Sequence, residues 1–135
     1  MQALEDLLKE VQALNEAKKY SEVIELLTDE VIETHRSADL YAEKAEAYYR
    51  LDKKDLCNTV TKKALLIDEN HAKANYYKGN IYLDSKEYDN AIEANNKAIK
   101  INPNLAPPYY SRGFAYEKLL DYSNALEDFK NYYEL

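Results

Sequence analysis

Glycine and proline are scarce in this 135-residue chain, which has two of the first and three of the second. That shortage excludes a fold of many strands joined by tight turns and leaves helices to dominate. Cysteine occurs once, at Cys57, so no internal disulfide can form and nothing requires an oxidising compartment. Basic residues are outnumbered, with 18 Lys and Arg against 25 Asp and Glu, and the formal net charge is −7. A chain so balanced lacks the basic face that phosphate contacts need, so nucleic acid is not expected as a partner. No stretch approaches the ~18 apolar residues of a membrane span, and no membrane partner is expected either. The segment Met1 to Leu8 is amphipathic and acidic, unlike a signal peptide, and a cytoplasmic location is the resulting expectation.

Chemistry-bearing motifs are equally sparse. There is no glycine-rich phosphate loop, G-x-S-x-G elbow or C-x-x-C pair, so neither an enzyme nor a cofactor is expected. His35 and His71 have no second ligand at metal spacing. The acidic residues are scattered at helical spacing, as on a solvated helix face, and form no catalytic pair.

What the chain does have is a period. Gly79 and Gly113 lie 34 residues apart, and the same interval joins Tyr82 to Tyr116, Tyr88 to Tyr122, Ala91 to Ala125 and Glu93 to Glu127. Extended backwards, it brings Ala45 and then Val11 to the glycine place, Tyr48 and Leu14 to the Tyr82 place, and Tyr20 to the Tyr88 place. Four units result, near 4–37, 38–71, 72–105 and 106–135, within one domain spanning 1–135. Self-similarity at such a period marks stacked copies of one helical hairpin. The apolar spacing predicts helices over 2–16, 20–34, 38–51, 54–67, 71–84, 88–101, 106–118 and 122–134. Ser37 and Asn70 are placed to cap the helices that follow them, and Pro107 and Pro108 suit a first helical turn.

The alternation of small and large residues has a packing reason. Ala45, Cys57, Gly79, Ala91, Gly113 and Ala125 let neighbouring backbones approach, while rings at the Tyr82 and Tyr88 places fill the space beside them. A mid-helix glycine costs about 1 kcal/mol against alanine, so two at matched places imply a steric need.

The segments Gly79-Asn-Ile-Tyr82, Tyr88-Asp-Asn-Ala-Ile92, Ala98 and Asn102-Pro103-Asn104 resemble a tetratricopeptide repeat, as do Gly113-Phe-Ala-Tyr116 and Tyr122-Ser-Asn-Ala-Leu126. The resemblance implies an all-α solenoid of about four antiparallel hairpins in a right-handed superhelix. It also implies a protein or peptide ligand, held on the concave face by the first helix of each pair. Carried onto this sequence, that geometry assigns Tyr49, Tyr76, Tyr77, Asn80, Tyr110, Ser111 and Phe114 to a tyrosine-rich groove. Glu43, Glu46, Asp84 and Glu117 lie among or beside them, with Arg50, Lys73 and Lys118 as nearby positive charge. Of the family's carboxylate clamp for chaperone tails only Asn80 matches. Lys78 and Arg112 stand where the family often has leucine, and Thr61 and Asn95 where it usually has an apolar residue. The second reading is an oligomerisation or spacer module: the final helix ends in Tyr132, Tyr133 and Leu135, and either a longer parent chain or a homodimer through that helix would cover it.

Overall fold

In the computed structural model, which describes residues 2–135, the described residues form nine α-helices. These are α1 (Leu4–Glu16), α2 (Tyr20–Leu26), α3 (Asp29–His35), α4 (Ala38–Arg50), α5 (Lys54–Ile67), α6 (Ala72–Asp84), α7 (Tyr88–Ile101), α8 (Pro107–Lys118) and α9 (Tyr122–Glu134). None is long and apolar enough to cross a membrane.

The period is written into the backbone. Lys18, Asp52, Lys86 and Leu120, each 34 residues from the next, adopt left-handed conformations with φ of 59–64°. Each follows the end of a first helix. The amide of Lys19 donates to the Leu14 carbonyl at 2.8 Å, Lys53 to Tyr48 at 2.8 Å, Glu87 to Tyr82 at 2.9 Å and Asp121 to Tyr116 at 2.9 Å. A second bond one residue inside completes each one, as from Lys86 N–H to the Leu83 carbonyl at 2.9 Å. Four Schellman caps thus close four first helices, satisfying carbonyls that a helix end leaves free. The role usually falls to glycine; here ordinary side chains occupy it at a steric cost.

Two expectations need correction. The helix expected over 20–34 is broken into α2 and α3. Thr28 stands between them, and its Oγ1 accepts the Val31 amide at 3.3 Å, ahead of an acidic first turn at Asp29 and Glu30. A cap with acids behind it outweighs an apolar period that runs on unbroken. Likewise, α6 is capped by His71 and not by Asn70: the His71 Nδ1 accepts the Ala74 amide at 3.2 Å. Ser37 does cap α4, accepting from Leu40 N–H at 3.2 Å, and Pro107 and Pro108 open α8.

The helices gather in two compact units, one up to Glu69 and one from Asn70 to Leu135. In the first, α4 packs on α5, α1 and α2, around the fully buried Val11, Val23, Leu27, Ile32 and Leu40. Each such side chain removed from water contributes about 1.5–3 kcal/mol. Cys57 is buried there, its Sγ 3.9 Å from Thr61 Oγ1, as a small packing residue. In the second, α6 packs on α7 and α8 on α9, with α8 also against α6 and α7.

Both glycines sit at close approaches. A Cβ on Gly79 would stand 2.5 Å from the Asn95 amide nitrogen, and one on Gly113 would stand 2.9 Å from the Phe129 ring. Each glycine thus meets the residue sixteen positions later, across its own hairpin. One ring of the period departs from its role: Tyr122 is 62% exposed, whereas Tyr20 and Tyr88, its equivalents, are half-buried.

Candidate functional site

Second helices with a polar residue facing inward must supply that residue with partners. Asn95, fully buried on α7, donates its side-chain amide to the Ala91 carbonyl at 3.0 Å and to Ser111 Oγ at 2.9 Å. Ser111 Oγ in turn donates to Asn80 Oδ1 at 2.8 Å, tying α7, α8 and α6 together. Asn80 and Ser111 are 5% and 4% exposed, and Tyr77 is 2% exposed. Three residues assigned to the groove therefore lie inside the second unit, and the two polar ones bond to each other.

The other rings of that assignment are reachable from solvent. Tyr76 on α6 is half-buried and meets the Tyr77 ring edge-on at 4.8 Å. Tyr110 on α8 is 47% exposed. Its ring lies 5.3 Å from Phe129 and 5.1 Å from Tyr132, and Tyr132 lies 5.0 Å from Tyr133. Phe114, half-buried one turn further along α8, carries the Lys118 ammonium 5.1 Å above its ring. Rings with one face packed and one face wet suit protein recognition, because they bring large contact area at little cost in rotamer freedom. Tyr49 is half-buried on α4 of the first unit. Glu43, expected beside the groove, is instead buried, and its carboxylate and carbonyl accept from Asn15 at 3.2 and 3.1 Å.

Charge is also spent on structure. Arg112 grips Asp128 with two bonds, Nε to Oδ2 at 2.8 Å and Nη2 to Oδ1 at 2.6 Å, and Nη1 reaches Asn96 Oδ1 at 2.9 Å. Tyr109 and Tyr116 hold the guanidinium between their rings, 5.8 and 6.0 Å from the centroids. The bidentate bond to Asp128 lifts the Arg112 pKa above its ordinary value. In the first unit, burial pulls the Lys44 ammonium below its usual value, opposed by Asp29 at 3.7 Å, and the Tyr48 ring lies 5.6 Å away. Lys78, the corresponding residue of α6, is exposed. Among the described residues no cluster of His, Cys, Asp and Glu could hold a metal ion.

Sequence reasoning singled out Tyr110 and the Tyr132–Tyr133 end separately and did not join them. It also left Arg112 without Asp128. The signal for the second is the sixteen-residue step: Gly113 to Phe129, Arg112 to Asp128 and Gly79 to Asn95 all cross a hairpin by that interval.

Comparison with known proteins agrees with this architecture. Residues 79–119 match the sequence model of a TPR repeat. No curated protein matches the sequence. A crystal structure of MamA is 31% identical and superposes over 96% of this chain and 76% of its own, with a TM-score of 0.74. The second TPR of Spaghetti (RPAP3), bound to the HSP90 peptide SRMEEVD, is 18% identical over 78% of this chain and 98% of its own, with a TM-score of 0.67. An Arabidopsis OM64 TPR domain is 22% identical over 72% of this chain and 80% of its own, with a TM-score of 0.65. At such identities the last two speak to the fold alone.

Proposed function

The chain belongs to the tetratricopeptide repeat family, a family of protein–protein interaction scaffolds, and we propose that it is a non-enzymatic, cytoplasmic scaffold that binds a peptide segment through the wet aromatic rings of its first helices. Tyr76, Tyr110 and Phe114 make the direct contacts; Asn80, Ser111 and Tyr77 hold the helices that carry them. The observation behind this division is the bond from Ser111 to Asn80, which engages both polar groove residues, while the Tyr110 ring stays 47% exposed. A TPR relative captured with a peptide bound supports the class of ligand. Micromolar affinity, about 8 kcal/mol, is expected of such a preformed surface.

The test is selection from a random peptide library displayed on phage. The native chain is expected to enrich a peptide motif. The Tyr76→Ala/Tyr110→Ala variant, with unchanged helicity by circular dichroism, is expected to lose it. Equal enrichment by both would refute the assignment of these rings.

A further inference from the structure

One place in the period holds tyrosine twice, at Tyr41 near the start of α4 and, two units on, at Tyr109 near the start of α8. Tyr109 is satisfied by its own chain: its hydroxyl donates to the Pro103 carbonyl at 2.8 Å. The residue placed to do the same for Tyr41 is His35, and the Tyr41 hydroxyl makes no such bond. The backbone gives the reason. After α3 the chain turns through Arg36 in a left-handed conformation, φ 47°, whereas no residue between Asn102 and Ala106 does so. Among the described residues, Arg36 is the only left-handed position outside the 34-residue series of Lys18, Asp52, Lys86 and Leu120. A non-glycine residue held there is strained, and strain of this kind gathers where a chain shapes a binding surface.

The first unit has a cleft of about 570 Å³ at this point, lined by Glu33, Arg36, Tyr41 and Ile67. That volume lies within the ~300–1,000 Å³ of ligand pockets. Tyr41 is 5% exposed, and its hydroxyl has no hydrogen-bond partner within the chain. A buried donor left so costs stability, and a ligand that accepts from it removes the cost. Burial, with Glu33 and Asp29 adding to it, raises the Tyr41 pKa, so the hydroxyl keeps the proton it would donate. The Lys63 ammonium lies over the ring, 5.9 Å from its centroid.

We propose that this cleft is a second binding site, whose ligand is an extended, proline-containing peptide segment of a partner protein. A backbone carbonyl of that segment accepts the Tyr41 hydroxyl, as the Pro103 carbonyl accepts that of Tyr109. The chain itself thus shows which group the place takes when it is filled. Glu33 and Arg36, both exposed, set one charge of each sign on the rim, which suits a neutral peptide group better than a lone ion. Ile67, 47% exposed, gives a pyrrolidine ring an apolar footing. A polyproline-type chain fits these demands because it is ordered before binding and leaves its carbonyls unbonded. The site shares no residue with the wet rings of the first helices, so either proposal can fail without the other.

Acetyl-hexaproline amide titrated into the isotope-labelled native chain is expected to move the amide resonances of Arg36, Tyr41 and Ile67 to saturation. Tyr41→Phe is expected to weaken that binding at least about fivefold, the worth of one hydrogen bond, without lowering Tm. Tyr109→Phe, which breaks the internal bond, is expected to lower Tm and leave the affinity intact. Inorganic phosphate, the control for a simple ion, is expected to move none of the three amides. The proposal is overturned if the peptide leaves those amides in place or moves only those of Tyr76 and Tyr110. It is equally overturned if Tyr41→Phe binds as the native chain does, if that change lowers Tm as Tyr109→Phe does, or if phosphate saturates the cleft.

Discussion

The α6–α7 and α8–α9 hairpins share one backbone plan and fill it with opposite chemistry. In the first, Gly79 faces an asparagine whose amide is tied to Ala91 and Ser111; in the second, Gly113 faces the Phe129 ring. The first leaves Lys78 in solvent, while the second draws Arg112 onto a buried Asp128. What the two keep in common is an absent Cβ opposite the inward side chain, and the left-handed residue after the first helix. The period therefore fixes where backbones touch and leaves open whether an amide or a ring fills the contact.

Breaking the ion pair should have the largest effect. Asp128 is 2% exposed, so Arg112→Leu leaves a buried carboxylate uncompensated and should cost about 3 kcal/mol in urea unfolding. Arg112→Leu with Asp128→Ala removes both charges and puts at 128 the alanine that α7 carries at the equivalent Ala94, and should return to within about 1 kcal/mol of the native chain. A double variant as unstable as the single one would contradict the pairing.

The glycine contacts come next. Gly113→Ala sets a Cβ 2.9 Å from Phe129, and the resulting overpacking should cost about 1–2 kcal/mol despite alanine's better helix propensity. Gly79→Ala should cost a similar amount, because the Cβ displaces the Asn95 amide from both acceptors. Here, however, Asn95→Ala should rescue it, since removing the amide frees the space. Thermal melts of the two single variants and the pair read this directly.

A smaller effect distinguishes the Schellman caps. Lys86→Gly should stabilise by about 1 kcal/mol, because glycine carries no left-handed penalty, and Asp52→Gly by less, because aspartate tolerates that conformation better. The pH dependence of the first unit is smaller still. Burial lowers the Lys44 pKa, so below the ordinary lysine value there is a window in which the unfolded chain holds a proton that the folded chain has released. Stability rises with pH across that window. Burial also raises Tyr41 and Tyr48, whose contribution falls away above the ordinary tyrosine value. Lys44→Met should therefore flatten the rise and leave the later fall, as measured by urea unfolding at stepped pH.

Most of this fold could be read from residues because the period acts through sterics. Glycine, alanine and tyrosine at fixed intervals gave seven of the eight helices nearly to the residue, and both steric glycines. The break at Thr28 escaped because hydrophobic spacing continues across it, although Thr28-Asp29-Glu30 carries a capping signature. The site was less legible. Periodicity assigns a residue to the first helix of a pair but does not say whether a neighbouring helix has already engaged it. Asn80 looks like a free amide until Ser111 is seen donating to it. Tyr110 looks like any groove tyrosine until Phe129 and Tyr132, nineteen and twenty-two positions later, are found beside its ring.

Calorimetric titration of a library-selected peptide into the native chain, Tyr110→Ala and Ser111→Ala, with a melt of each, tests the division of labour between wet rings and buried amides most directly. Tyr110→Ala should weaken binding at least about tenfold, some 1.4 kcal/mol, with little change in Tm, while Ser111→Ala should lower Tm with affinity retained at temperatures where it is folded. The reverse outcome, with binding lost through Ser111 at unchanged Tm and kept without Tyr110, would contradict it.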